Sequence, residues 1–174
     1  MIIIPKLLAE LLGEADEDQL RRLAPDFAEH ALDTYRSAMR EPLYEASAEL
    51  LRAVREGVDT GRAGERMETA RRSFFAVRTD EDDSGPGGSV SWTAFRAFDV
   101  GSPRLRRPVG VIRHDKQVAD IAARAQEAAG QWDAAGDPRS AQAARVARWE
   151  EARWQIARVV ATAPNPNDVA NGGR

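Results

Sequence analysis

Apolar residues recur through most of this chain at helical spacing. Leu7, Leu8, Leu11 and Leu12 share one face behind Pro5, which suits a first helical turn, and Gly13 closes that element. Asp16-Glu17-Asp18 places carboxylates at the positive end of a helix dipole. Leu20 and Leu23 begin a stripe that Pro25 is expected to break or restart, and Phe27, Ala31, Leu32, Tyr35, Ala38 and Met39 continue it. Glu41-Pro42 marks a boundary. Leu43, Ala46, Leu50, Leu51 and Val54 form the next stripe, ended at Gly57 or Gly61. Gly64 precedes a run carrying Met67, Ala70, Phe74, Phe75 and Val77. Trp92, Phe95 and Phe98 then define a further helical face, which Ser89 or Ser91 would cap.

The C-terminal third, Asp115 to Ala163, predicts a helical hairpin on which the rest packs. Val118, Ile121, Ala122, Ala125, Ala128, Ala129 and Trp132 form one stripe, and Gly136-Asp137-Pro138 turns the chain. Ala141, Ala144, Ala147, Trp154, Ala157, Val160 and Ala161 trace a second, with Trp149, Ala152 and Ile156 on a neighbouring face. The last helix is therefore expected to be contacted from two sides, with tryptophans filling space between Ala-rich surfaces. The fold expectation is one all-α, bundle-like domain of six to eight helices over residues 1–163, followed by a disordered tail at 164–174. The acidic Gly/Pro stretch at about 80–89 cannot bury enough to order itself and is expected to be a mobile loop.

Composition adds little chemistry. The 174 residues suit one domain, and the absence of cysteine excludes disulfides, thiol catalysis and Cys-ligated zinc. The net charge of −3 conceals an asymmetry: residues 1–83 carry 19 acids against 12 bases, residues 84–174 carry 9 against 13. No apolar run reaches the roughly 18 residues of a membrane span, and the start lacks a signal peptide's basic region, so a cytoplasmic protein is expected.

No catalytic set can be nominated. His30 has Asp26 and Asp33 within helical reach, yet a solvated or capping histidine is the simpler reading, and Asp115 beside His114 reads as a helix cap. Neither histidine belongs to a metal-binding motif, and no cofactor is expected. Asp80–Asp83 lacks calcium-loop spacing, and Gly85-Pro86-Gly87-Gly88-Ser89 lacks the lysine of a phosphate loop. Arg104, Arg106, Arg107 and Arg113 form the densest basic patch, but no aromatic platform is interleaved, which argues against nucleic acid. A pocket lined by Trp92, Trp132, Trp149 or Trp154 is the remaining enzymatic option.

Two segments resemble one family. In Phe27–Gly61 a helix with an Ala-rich face is followed by Pro and an Ala/Arg helix closing on Gly. Arg148-Trp149-Glu150-Glu151-Ala152-Arg153-Trp154-Gln155 is similar, in its Glu-x-x-Trp-Gln close, to the ending of small helical immunity proteins of bacterial polymorphic toxin systems. The resemblance implies a non-enzymatic cytoplasmic protein that binds and blocks a cognate toxin. Within that expectation Asp80, Glu81, Asp82 and Asp83 are the partner-contact residues, and the acidic half steers the chain onto a basic surface. The alternative is a self-associating structural or assembly protein of a bacterium or phage, with the last helix as its interface.

Overall fold

The computed structural model describes residues 5–62, 64–102, 114–134 and 140–164. Among them are seven α-helices, two short 3-10 turns and no strand: α1 Lys6–Glu14, α2 Glu17–Thr34, a turn at Arg36–Ala38, α3 Glu41–Thr60, α4 Glu65–Val77, a turn at Asp80–Asp83, α5 Gly85–Gly101, α6 His114–Ala134 and α7 Ser140–Thr162. This is the expected all-α bundle. Helix α5 lies against α2, α3 and α6, while α6 packs between α5, α2 and α7. Helix α4 leans on α3, and α1 caps α6 and α7. The core is built from Leu8, Leu12, Leu23, Phe27, Leu50, Leu51, Phe74 and Ile121, with alanines of α2, α5 and α6 between them.

Several boundaries follow the sequence chemistry. Asp16 caps α2 by accepting from the Gln19 amide at 2.7 Å. Pro42 sits in the first turn of α3, and Gly61 ends that helix at φ +65°, where a side chain would be strained. Gly57 stays inside α3 and is buried.

Two expectations about where helices break and begin fail. Pro25 does not interrupt α2, which runs unbroken from Glu17 to Thr34. The backbone bond lost at proline is offset by the buried residues around it: Leu23, Ala24, Phe27 and Ala28. The supposed loop at 80–89 is also helical. Asp80–Asp83 forms a 3-10 turn closed by a capping box between Thr79 and Asp82, and α5 starts at Gly85, well before Ser89 or Ser91. The glycines that suggested looseness permit close packing instead. A β-carbon on Gly87 would overlap the Ala38 carbonyl, and one on Gly88 would overlap that of Asp82.

The hairpin of α6 and α7 is present, with its turn at Gly136-Asp137-Pro138 outside the described residues. Asp115 lies within the first turn of α6. The predicted stripe on α6 is buried up to Ala129, but Trp132 is exposed. On α7 the orientation differs from expectation. Ala144, Ala147, Glu151, Ala152, Gln155 and Val159 face inward, while Trp149, Ala157, Val160 and Ala161 face out.

Candidate functional site

The inward face of α7 carries a polar seam across the bundle. Glu151 is 2% exposed at its side chain, and its Oε2 lies 3.3 Å from His30 Nε2 on α2. The other carboxylate oxygen accepts from Gln155 Nε2 at 2.9 Å, one helical turn along. Gln155 accepts in turn from Gln126 Nε2 on α6 at 2.8 Å and donates to the Ala122 carbonyl at 3.2 Å. The His30 ring stacks on Trp154, centroids 3.6 Å apart, and Trp154 meets Phe27 edge-on. His30 therefore pairs with α7, not with Asp26 or Asp33 of its own helix.

Asp26 is occupied elsewhere. Its side chain, 4% exposed, accepts from Arg55 Nη2 of α3 and from Arg158 Nε of α7, each at 2.6 Å. Arg55 also grips Glu29 through Nε at 2.9 and 3.1 Å and through Nη2. Hydrogen bonding to Glu29 pushes the Arg55 pKa up; burial opposes this and Asp26 adds to it. Gln19 ties the end of α7 to α2 by donating to the Val159 carbonyl at 3.1 Å. His114, at the start of α6, lies 3.6 Å from Glu17. These groups satisfy one another, so the seam holds α2, α3, α6 and α7 in register.

The acidic turn is similarly committed. Arg40 donates to both oxygens of Asp82, at 2.9 and 2.5 Å, and to the Val77 carbonyl at the end of α4. Asp82 is buried, with its carboxylate also accepting from the Thr79 amide and hydroxyl. Asp83 pairs with Arg78, whose guanidinium lies 4.2 Å above the Trp92 ring and donates to Ser91. Asp80 is exposed, and Glu81 lies on the same turn. Two of the four proposed partner contacts thus have intramolecular tasks. The basic patch at Arg104, Arg106, Arg107 and Arg113 lies outside the described residues.

Hydrogen bonding from Arg40 holds the Asp82 pKa down to about 2 from an ordinary 3.8, with the Thr79 bonds helping and burial opposing. A depressed acid contributes stability above its unfolded pKa, and that contribution is lost as pH falls through the folded value. The urea midpoint is therefore expected to drop between about pH 4 and pH 2, and Arg40→Gln should flatten this segment of the profile. An unchanged profile in the variant would refute the assignment.

The outward face of α7 is different in kind. Trp149 and Val160 are each 59% exposed and Val146 is 48% exposed, all on one stripe. Arg153 and Ala157 lie between them, also exposed. Elsewhere, an open groove of ≈ 480 Å³ lies between the end of α3 and the start of α4, lined by Gly57, Thr60, Arg62, Arg66 and Met67 among others. Its Arg66 is already bound by Glu49 and Glu56. Among the described residues no three His, Asp or Glu side chains converge as metal ligands, and no helix is long and apolar enough to cross a membrane.

Among the described residues, fold and surface define an all-helical bundle-like domain, internally cross-linked by a polar seam, with Val146, Trp149 and Val160 exposed along α7. Comparison with protein-family models, curated proteins and solved structures finds no match.

Sequence reasoning missed Glu151, Gln155 and Gln126 because a polar residue on an Ala-rich helix normally marks its solvent side. A signal was present. Glu151 and Gln155 lie on the same helical face as Ala144, Ala152 and Val159, which placed them among inward residues.

Proposed function

We propose that this chain is a non-enzymatic protein-binding domain and that the outward face of α7 is its contact surface. The observation that carries the reading is the single stripe of Val146, Trp149 and Val160, large apolar side chains left in water on a helix whose other face is fully engaged. Isolated exposed apolar residues are ordinary, but a tryptophan flanked by valines along one helix resembles the aromatic anchor of an interface.

The immunity-protein reading is the specific form of this proposal, with a toxin domain as the partner. It takes its support from the resemblance at residues 148–155. Of those residues Glu151 and Gln155 are turned inward, whereas Trp149, Glu150 and Arg153 are exposed. The contact surface is accordingly assigned to the exposed residues of that segment. Asp80 is left as a peripheral acidic contact.

A photo-crosslinking amino acid placed at position 149, in the cells that make the protein, tests the reading. One dominant protein adduct is expected from position 149 and none from position 59, an exposed site on α3. No adduct from position 149 would overturn the proposal, and a toxin domain in the adduct would support its immunity form.

A further inference from the structure

We infer that the outward stripe of α7 is self-complementary and that its occupant is a second copy of this chain, with the two α7 helices antiparallel about a two-fold axis at Arg153. This rests on α7 being the docking face, and it puts a second copy of the chain where the immunity form puts a toxin domain.

About Arg153 the stripe is symmetric in polarity and complementary in size. Val146 and Val160 each stand seven residues from Arg153, and Trp149 and Ala157 each stand four. All five are exposed. Spacings of four and three residues keep them on one face of an α-helix, as in the seam of a helical pair. Antiparallel pairing centred on Arg153 sets Val146 opposite the partner's Val160. It also sets the Trp149 ring over the partner's Ala157, large on small, twice by symmetry.

Charge points the same way. Glu150 and Arg153 are exposed, and neither forms an ion pair among the described residues. In the antiparallel arrangement the partner's Glu150 comes within about one helical turn of Arg153, so two identical ion pairs flank the axis. They offset the repulsion of two guanidinia meeting at its centre. A parallel pair would set Trp149 against the partner's Trp149 and Ala157 against the partner's Ala157, and so lose the match of tryptophan to alanine.

The purified full chain is expected to sediment as a dimer. Trp149→Ala should weaken it at least about thirty-fold, the scale of one interface anchor, and should leave the melting temperature unchanged at dilutions where both chains are monomeric, because Trp149 is not packed on the core. Glu150→Arg should weaken dimerisation, and adding Arg153→Glu should restore it. The chain has no cysteine, so Arg153→Cys carries one thiol on the proposed axis. Oxidation should give a disulfide-linked dimer, whereas Arg72→Cys on α4 should form no disulfide link and run as a single chain under denaturing, non-reducing conditions. A wild-type monomer at every concentration, or a dimer indifferent to Trp149→Ala, would overturn the inference. A wild-type monomer whose position 149 crosslinks a different protein would overturn self-association and leave the protein-binding reading standing. A monomer with no adduct at all would overturn both.

Discussion

Replacing Asp26 with alanine is expected to lower the unfolding free energy by about 3 kcal/mol, roughly 6–12 °C in melting temperature for a chain of this size. Asp26 is buried and is the acceptor shared by Arg55 from α3 and Arg158 from α7. Its removal leaves two guanidinia facing a void, with Arg55 still held by Glu29. The loss is placed at the low end for a broken buried pair because Arg55 and Arg158 are 37% and 43% exposed at their side chains and can turn toward water. Asp26→Asn should lose most of the same stability, since an amide nitrogen would meet cationic donors. Arg158→Met should cost only about 1 kcal/mol, because Arg55 still neutralises the carboxylate. Urea titrations of the three variants check the order. A loss below about 1 kcal/mol for Asp26→Ala would mean that the cluster adds nothing net.

Gly88→Ala is expected to cost about 3 kcal/mol, although alanine is the better helix former and would otherwise gain about 1 kcal/mol. The added methyl would overlap the Asp82 carbonyl, a backbone atom held by the capping box and by the grip of Arg40 on the Asp82 side chain. Relief requires α5 to move away from the acidic turn. Gly13→Ala is the control: a β-carbon there meets nothing within 4 Å, so the substitution should be neutral or slightly stabilising. Thermal melts of the two variants separate propensity from packing. Equal stabilities would show that the close approach carries no energetic weight.

The helices were legible because leucine and phenylalanine leave unambiguous stripes. Leu20, Leu23 and Phe27 on α2, and Leu43, Leu50, Leu51 and Val54 on α3, are buried as their spacing requires. The glycines at 85–88 misled because composition reports conformational freedom, whereas Gly87 and Gly88 are needed for the approach of neighbouring carbonyls. Helix α7 misled for a different reason. Alanine differs little between water and core, so an Ala-rich helix has no strong preference for which side it buries. The choice was made by Glu151 and Gln155, whose partners His30 and Gln126 lie far away in sequence and leave no local trace. Periodicity set Glu151 and Gln155 on one face with Ala144, Ala152 and Val159 but carried no sign that this face is the buried one. The outward position of Trp149 follows from that burial, because Glu151 and Trp149 cannot both point into the bundle.

The amide pair of Gln126 and Gln155 bears on how this chain finds one structure. Helices α6 and α7 pack on each other and their buried residues include alanines at 122, 125, 129, 144 and 147; faces this rich in small side chains can slide by a turn with little change in buried area. Sliding would leave Gln155 and Glu151 unsatisfied in the interior, where each orphaned polar group costs about 1–3 kcal/mol. The hydrogen bonds thus act as a steric-free ratchet. They add little depth to the native basin, yet they raise every neighbouring register above it, so that two nearly featureless helices settle into a single alignment.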